Sequence, residues 1–171
     1  MIKPLRDALI DDLPEIVKIY NSAIADGIST EDSHEVSVDE KVAWFSSHDM
    51  PTRPLLVKEY HGKIIAWISF QPFYPNVFAY KDTARIHIYI EKNFQGKKLG
   101  QQFLCEALEK ASLYGIETLL AFIFADNQAS LKLFKKMGFK EWGNLSCVAK
   151  IEGVEKDLVL LGLKLKNNEN N

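Results

Sequence analysis

The most informative part of the sequence is residues 85–100, Arg85-Ile86-His87-Ile88-Tyr89-Ile90-Glu91-Lys92-Asn93-Phe94-Gln95-Gly96-Lys97-Lys98-Leu99-Gly100. Its first half is rich in isoleucine and predicts a strand that ends near Ile90. A short loop with a glycine follows, and a long helix begins near Lys98. Free backbone N–H groups and the positive dipole end at a helix start can bind phosphate oxygens. The alternative is an ordinary strand-to-helix turn with solvated lysines.

The spacing of this loop excludes two nucleotide-binding motifs. A Walker A loop requires G-x-x-x-x-G-K-[ST], and Gly96-Lys97 lacks both the upstream glycine and the following Ser or Thr. The dinucleotide fingerprint G-x-G-x-x-G does not occur in the chain. A phosphate-binding role for this loop must therefore follow a different pattern.

Hydrophobic periodicity along the chain predicts an α/β fold, a mixed sheet with helices on its faces. Ser37 and Glu40 have the spacing of a capping box and predict a helix start. No repeat or linker divides the chain, so one domain over residues 1–165 and a disordered tail over 166–171 are expected. The predicted order is strand 2–6, helix 13–24, helix 37–45, strands 55–60, 64–70 and 84–90, helix 101–114, strand 119–124, helix 127–137, and strands 139–149 and 156–165.

Composition excludes several classes of protein. The 171 residues carry 21 basic and 23 acidic side chains, whereas proteins that neutralise a nucleic-acid backbone are usually strongly basic. No stretch approaches the ~20 apolar residues that cross a bilayer, and acidic residues stand where a secretory signal has its apolar run. Cys105 and Cys147 lack metal-type spacing and are expected to be reduced thiols. We expect a soluble cytoplasmic protein without metal, nucleic acid or membrane partner.

Two motifs, in the correct order, resemble the GNAT superfamily of N-acetyltransferases. Residues 95–100 are similar to the acetyl-CoA pyrophosphate loop, [Q/R]-x-x-G-x-[G/A], and match it at Gln95 and Gly100. Lys98 replaces the central glycine, which the loop tolerates if Lys98 has helical dihedrals. Residues 127–139, NQASLKLFKKMGF, are similar to the family pattern N-x-x-[AS]-x-x-[LF]-[YH]-x-x-x-G-[FY]. One helix and one strand separate the motifs, as the family pattern requires.

The resemblance extends over nearly the whole chain to the phosphinothricin and methionine-sulfoximine acetyltransferase branch. The opening D-L-P-x-I…I-Y-N of that branch resembles residues 12–16 and 19–21. Further similarities occur at residues 43–45, 72–73, 80, 83 and 88–90, and at Lys150, Gly153 and Asp157. The resemblance implies acetyl transfer from acetyl-CoA to the amine of a small, amino-acid-like molecule by direct attack in a ternary complex, and it implies a homodimer.

The resemblance also implies where acetyl-CoA would bind. In this family two adjacent parallel strands splay apart, and here those are the strand ending at Ile90 and the strand 119–124. Backbone groups of Ile88 and Ile90 would pair with the pantetheine amides as an added strand does, and the N–H of Ile88 or Tyr89 would polarise the thioester carbonyl. The expected acetyl-CoA-binding residues are Ile88, Tyr89, Ile90, Gln95, Gly96, Lys97, Lys98, Leu99, Gly100, Gln101, Asn127, Ser130 and Phe134.

The sequence departs from the resembled branch at its catalytic positions. An aliphatic amine has a pKa of about 10.4, so a group must accept its proton. The branch carries a glutamate where this chain has Arg85, and a guanidinium cannot be that base. His87 shares the strand face of Arg85 and Tyr89, and an ordinary histidine pKa of about 6.5 suits a base. We predict His87 as the base, with a water chain, no dedicated base, or a structural histidine as alternatives.

Two further positions differ from related acetyltransferases. Phe134 stands where many members offer a tyrosine, or this branch a histidine, so the thiolate would leave unaided or take a proton from water. The branch also has an arginine after G-P-[FW], where this chain has Tyr74. Arg85 is predicted to supply a cation for an acidic acceptor instead, unless it pairs with Asp82. Phe73, Tyr74 and Tyr80 are predicted to line the amine pocket, although aromatic clusters also form cores and dimer interfaces.

Two alternative functions remain open at this point. The missing glutamate and tyrosine favour a non-catalytic acyl-CoA-binding or regulatory domain. A protein N-terminal or lysine acetyltransferase would need an open peptide groove rather than a closed pocket. Proximity and backbone polarisation alone accelerate transfer from a reactive thioester, so the small-molecule acetyltransferase is preferred.

Overall fold

The computed structural model describes residues 2–25, 27, 29–30, 32–96 and 98–165. Seven strands form one mixed sheet in the order β1-β2-β3-β4-β5-β7-β6. The strands are β1 Arg6–Asp7, β2 Leu55–Tyr60, β3 Lys63–Pro72, β4 Thr83–Ile90, β5 Thr118–Phe124, β6 Lys140–Ile151 and β7 Val154–Lys164. The helices are α1 Leu13–Ile24, α2 Val38–Ser46, α3 Leu99–Ala111 and α4 Gln128–Lys136. The predicted order of elements and fold class are confirmed. The predicted tail, 166–171, lies outside the described residues.

Several predicted boundaries shift by a few residues. The first strand was expected over 2–6, but only a single bridge from Ile2 to Tyr60 precedes the pairing of Arg6 and Asp7 with β2. The predicted helix 101–114 begins earlier and ends at Ala111, with a 3-10 turn over Ser112–Tyr114. The capping box is confirmed. Ser37 Oγ accepts from the Glu40 N–H, and Glu40 accepts from the Ser37 N–H at 2.6 Å.

Side chains of β3 and β4 alternate between two hydrophobic cores, one on each face of the sheet. In their antiparallel pairing Trp67 lies opposite Tyr89, and Ile68 opposite Ile88. Because successive side chains of a strand point to opposite faces, odd-numbered residues face one helical layer and even-numbered residues the other along β4 and from Ala66 onward in β3. Trp67 packs with buried residues of α1 and α2, whereas Ile68 packs with buried residues of α3 and α4. Polar side chains at 69, 71, 85 and 87 therefore share the α1–α2 side.

Candidate active site

The sheet forks between β4 and β5. These parallel strands pair only at Thr83↔Thr118, Ala84↔Leu119 and Arg85↔Leu120. Beyond Arg85, β4 keeps its register with β3 up to Ile90, and β5 keeps its register with β7 up to Phe124. The second half of each strand therefore has a neighbour on one side only. This is the fork that the family resemblance predicts.

The β4 edge inside the fork presents backbone groups of alternate residues. The Glu91 N–H donates to the Ile65 carbonyl of β3 at 2.8 Å. Because backbone groups alternate along a strand, Tyr89 also faces β3, while Ile88 and Ile90 face the fork. Ile88, rather than Tyr89, can therefore aim an N–H at a thioester carbonyl. The Ile90 carbonyl accepts from the Gln95 side chain at 2.9 Å, which leaves one lone pair of that oxygen for a ligand.

A cavity of about 580 Å³ passes through the fork. Its α3–α4 side is formed by Ile86, Ile88, Asn127, Ser130 and Phe134. Its α1–α2 side is polar and aromatic, with these lining residues: Tyr20, Asp32, Lys41, Trp44, Trp67, Ser69, Gln71, Arg85, His87 and Tyr89. The cavity is therefore lined from both helical layers of the fold.

The loop before α3 has left-handed backbone at two positions. Gly96 has φ +73° and Lys98 has φ +62° with ψ +3°. Right-handed helical dihedrals, the condition under which the loop would tolerate Lys98, are therefore not observed. The left-handed region explains why the family pattern has a glycine here, because a Cβ raises the energy of this conformation. Leu99, Gly100 and Gln101 begin α3, so their N–H groups are among those that a helix start leaves free. Lys97 lies outside the described residues.

Two residues bring α3 and α4 to the fork. A Cβ on Gly100 would lie 3.1 Å from Ile90 Cδ1 and 3.3 Å from Leu133 Cδ2, so this glycine permits close packing against β4 and α4. Asn127 is the N-cap of α4, and its Oδ1 accepts from the Ser130 N–H at 3.1 Å. The Asn127 side-chain amide has donors left over and lines the cavity.

The comparisons with known proteins agree with this geometry. Residues 14–139 match the model of the acetyltransferase (GNAT) family. A Bacillus subtilis relative named "Putative phosphinothricin acetyltransferase YwnH" is 45% identical over 94% of this chain and 98% of its own length. The chain belongs to the GNAT acetyltransferase family.

Other GNAT proteins are similar over nearly the whole chain. The L-methionine sulfoximine/L-methionine sulfone acetyltransferase of Pseudomonas paraeruginosa is 29% identical over 96% of both chains. The crystal structure of a GNAT phosphinothricin acetyltransferase from Sinorhizobium meliloti, in complex with AcCoA, has a TM-score of 0.87. It is 25% identical and the match covers 96% of this chain and 89% of that one. This GNAT protein is an acetyltransferase with acetyl-CoA as its co-substrate.

Arg85 lines the cavity of this acetyltransferase without an acid partner among the described residues. Its Nη2 donates to Gln71 Oε1 at 3.2 Å, and its Nε is buried without a partner. The alternative of an ion pair with Asp82 is not observed, because Asp82 pairs with Lys81. A guanidinium that lines a cavity without an acidic partner can bind a carboxylate through two parallel hydrogen bonds.

His87 lines the same side of the cavity, opposite Ser69 on β3. Burial, then the Arg85 charge, then His48 lower the pKa of His87 to about 4. The imidazole is partly accessible, but the space it faces is the cavity. His87 is therefore neutral near pH 7 and a weak proton acceptor. Its role as the base stays a prediction.

The predicted aromatic wall lies elsewhere. Phe73 packs against Tyr74 and Tyr80 and stacks on Phe122, with ring centroids 6.4 Å apart in that stack. Phe122 lines the cavity, but the other three residues do not, and Tyr74 is 60% exposed. The structure thus does not bring Phe73, Tyr74 and Tyr80 together with Arg85 and His87. Contact between them and the substrate stays a prediction.

Sequence reasoning missed the aromatic wall that does line the cavity. Trp67 stacks on Tyr89 with ring centroids 4.5 Å apart, Trp44 meets Trp67 edge-on, and Tyr20 meets Tyr89 edge-on. The Tyr20 hydroxyl donates to Asp32 Oδ2 at 2.5 Å, and Lys41 lies 3.5 Å from the same oxygen. The helical period of Tyr20 and Trp44 indicated only core positions, so the sequence offered no signal for this wall.

The described residues form neither a metal-type cluster nor a membrane-spanning helix. No group of three or more His, Cys, Asp or Glu side chains is arranged to hold a metal ion in that part of the chain. No described helix is long and apolar enough to cross a membrane. Both cysteines are free and exposed.

Proposed function

We propose that this acetyltransferase transfers the acetyl group of acetyl-CoA to the primary amine of a small amino acid whose carboxylate is bound by Arg85. The observation that carries the proposal is the Arg85 guanidinium, which lines the cavity and has no acidic partner among the described residues. The named activities of the relatives, on methionine sulfoximine and methionine sulfone, support an acceptor of this class.

In the proposed arrangement, acetyl-CoA lies in the fork of the sheet and the acceptor lies on the face covered by α1 and α2. Acetyl-CoA would extend along the fork, with its pyrophosphate held by N–H groups at the start of α3 and its pantetheine arm near Ile88, Ile90 and Asn127. Phe134 and Ser130 would lie along that arm. The acceptor would lie on the α1–α2 side, where Arg85 fixes the carboxylate and the aromatic wall surrounds the side chain. Direct attack by the amine then needs no covalent enzyme intermediate.

A substrate panel tests the acceptor class. We expect CoA release with phosphinothricin, L-methionine sulfoximine and L-methionine sulfone, and much weaker release with the matching amines that lack the carboxylate. Binding of acetyl-CoA without turnover of any amine would instead support the non-catalytic acyl-CoA-binding domain. Turnover of peptides alone would support a protein acetyltransferase.

Substitution of Arg85 tests its contact with the carboxylate. A charge-assisted hydrogen bond contributes about 1.5–3 kcal/mol, so Arg85→Gln should raise KM for the amino acid by roughly 10- to 100-fold. Arg85→Lys keeps the charge but not the geometry of two parallel hydrogen bonds, so its KM should lie between those of the wild type and Arg85→Gln. The matching amine without a carboxylate is the control, since its turnover should not respond to Arg85→Gln. An equal loss for both acceptors would contradict the assignment.

Two finer features belong to the same proposal. We infer a homodimer, supported by exposed apolar side chains on the β6–β7 hairpin, at the edge of the sheet: Trp142, Leu145, Val148 and Val154. Exposed apolar edges are typical of contact surfaces between chains. A cytoplasmic location stays a prediction.

A further inference from the structure

A buried serine–histidine pair lies at the acceptor side of the cavity. Ser69 on β3 is fully buried, lines the cavity, and lies directly opposite His87 in the register of β3 and β4. His48 follows the C-terminal end of α2 and is also buried. The two residues are joined by a hydrogen bond of 2.9 Å between His48 Nε2 and Ser69 Oγ.

The surroundings of His48 fix the direction of this hydrogen bond. His48 Nδ1 lies 3.0 Å from the Trp44 carbonyl and 3.3 Å from the Phe45 carbonyl. A carbonyl oxygen only accepts, so Nδ1 carries the proton. Burial lowers the pKa of His48, so its ring is neutral and Nε2 is an acceptor. The Ser69 hydroxyl therefore donates to His48 and keeps its own lone pairs for another donor.

The end of α2 offsets part of the cost that burial places on a positive charge at the His48 ring. Trp44 and Phe45 belong to the last turn of α2, where the negative end of the helix dipole stabilises a cation. The two carbonyls raise the pKa of His48 in opposition to burial. His87, by contrast, lies beside the Arg85 charge, which lowers its pKa. The charged and titratable residues that line the same cavity are His87, Arg85 and Tyr89 on β4, with Tyr20, Asp32 and Lys41 from the α1–α2 side.

We propose that Ser69 and His48 form a proton relay that takes the proton from the acceptor amine during acetyl transfer. This inference rests on the proposed function. The neutral amine nitrogen bonds to the acetyl carbon, and the nitrogen proton passes to Ser69 Oγ while the Ser69 proton passes to His48 Nε2. The C–S bond then breaks, and sulfur leaves with the electron pair. His48 returns the proton to the thiolate or to water, which leaves an N-acetyl product and CoA.

Two substitutions separate proton transfer from packing. Ser69→Ala removes the relay atom, while His48→Gln keeps a partner for the Ser69 hydroxyl but cannot take a proton. We expect each to lower kcat with the best acceptor of the panel by about 10²-fold at pH 7, the usual contribution of a general base. Much of the loss should be recovered at high pH, while the affinity for acetyl-CoA, measured by calorimetry, stays within about twofold. His61→Gln, in the exposed turn between β2 and β3, is the matched control and should be fully active.

The outcomes separate this inference from the function on which it rests. A wild-type protein that acetylates no amine would refute the proposed function and the relay together. A wild type that turns over, with Ser69→Ala and His48→Gln variants of unchanged kcat and unchanged pH profile, would refute the relay alone and leave the function standing. Loss of activity in His87→Ala alone would assign the base to His87 instead.

A spectroscopic measurement tests the relay without turnover. Nitrogen-15 NMR of the histidine side chains should show His48 as the neutral tautomer with its proton on Nδ1. The Ser69→Ala variant should shift the Nε2 signal, because that nitrogen loses its donor. A proton found on Nε2 in the wild-type protein would overturn the proposal, since Ser69 could then pass no proton to that atom.

Discussion

At the scale of single residues, Lys98 has a backbone conformation that is unfavourable for any residue with a side chain. Its φ of +62° lies in the region that favours glycine, and its side chain is exposed. A non-glycine residue there costs on the order of 1 kcal/mol. A positive charge next to the loop proposed to bind the pyrophosphate is a physical reason to keep lysine despite that cost.

Replacing Lys98 separates backbone strain from charge. Lys98→Gly relieves the left-handed strain, whereas Lys98→Ala keeps it, and neither variant carries the charge. We expect Lys98→Gly to exceed Lys98→Ala in free energy of unfolding by about 1 kcal/mol, measured by urea denaturation. Both should bind acetyl-CoA more weakly than the wild type, most clearly at low salt. Equal stabilities of the two variants would show that the loop does not hold this conformation in solution.

The buried state of His87 predicts a loss of stability in acid. An unfolded histidine has a pKa of about 6.5, while the folded chain lowers the pKa of His87 to about 4. The folded state thus binds fewer protons between these values, and stability is complete above pH 6.5 and falls as the pH decreases toward 4. His87 alone should remove about 2 kcal/mol between pH 7.5 and pH 5.

Urea denaturation at several pH values measures this effect. His87→Gln should flatten the decline between pH 7.5 and pH 5, whatever its effect on stability at neutral pH. His61→Gln, at an exposed turn, is the control and should leave the decline unchanged. An identical decline in wild type and His87→Gln would show that His87 is not buried as a neutral ring.

At the scale of secondary structure, patterns local in sequence were predicted well. The capping box at Ser37 and Glu40 and the order of strands and helices depend on neighbours within a few residues, and both are confirmed. The fork was expected only from the family resemblance, because periodicity cannot show where two strands stop pairing. The Ser69–His48 pair was missed because its partners lie on different elements and neither has a local motif.

The start of α4 combines a helix cap with a candidate ligand contact. Asn127 caps the helix through Oδ1, and its amide is free to face acetyl-CoA. Asn127→Ala should lower the free energy of unfolding by about 1 kcal/mol, while Asn127→Ser keeps a capping oxygen and should cost little. Both variants lose the amide donor and should bind acetyl-CoA several-fold more weakly in calorimetry. Unchanged affinity in Asn127→Ser would remove Asn127 from the binding site.

At the scale of the whole molecule, the candidate active site is assembled from distant parts of the chain. Arg85 and His87 come from β4, Ser69 and Gln71 from β3, and Asp32 from the connection between α1 and α2. These residues are brought together by strand register and helix packing. The sequence therefore predicted the candidate residues on β4, but not the residues of other elements that lie beside them. An aromatic side chain does not by itself indicate where it lies in the fold. For this reason the sequence placed at the cavity three aromatic residues that do not line it: Phe73, Tyr74 and Tyr80.

The long β6–β7 hairpin is the surface through which we expect two copies of this chain to associate. Leu145 and Val148 of β6 are 45% and 56% exposed at the edge of the sheet, and burying such a surface against a second copy is favourable. We expect sedimentation equilibrium at micromolar concentration to give a dimer for the wild type and a monomer for Leu145→Asp combined with Val148→Asp. Leu113→Asp, at an exposed apolar residue outside the hairpin, is the control and should stay dimeric. A monomeric wild type would contradict the assembly but not the acetyltransferase function.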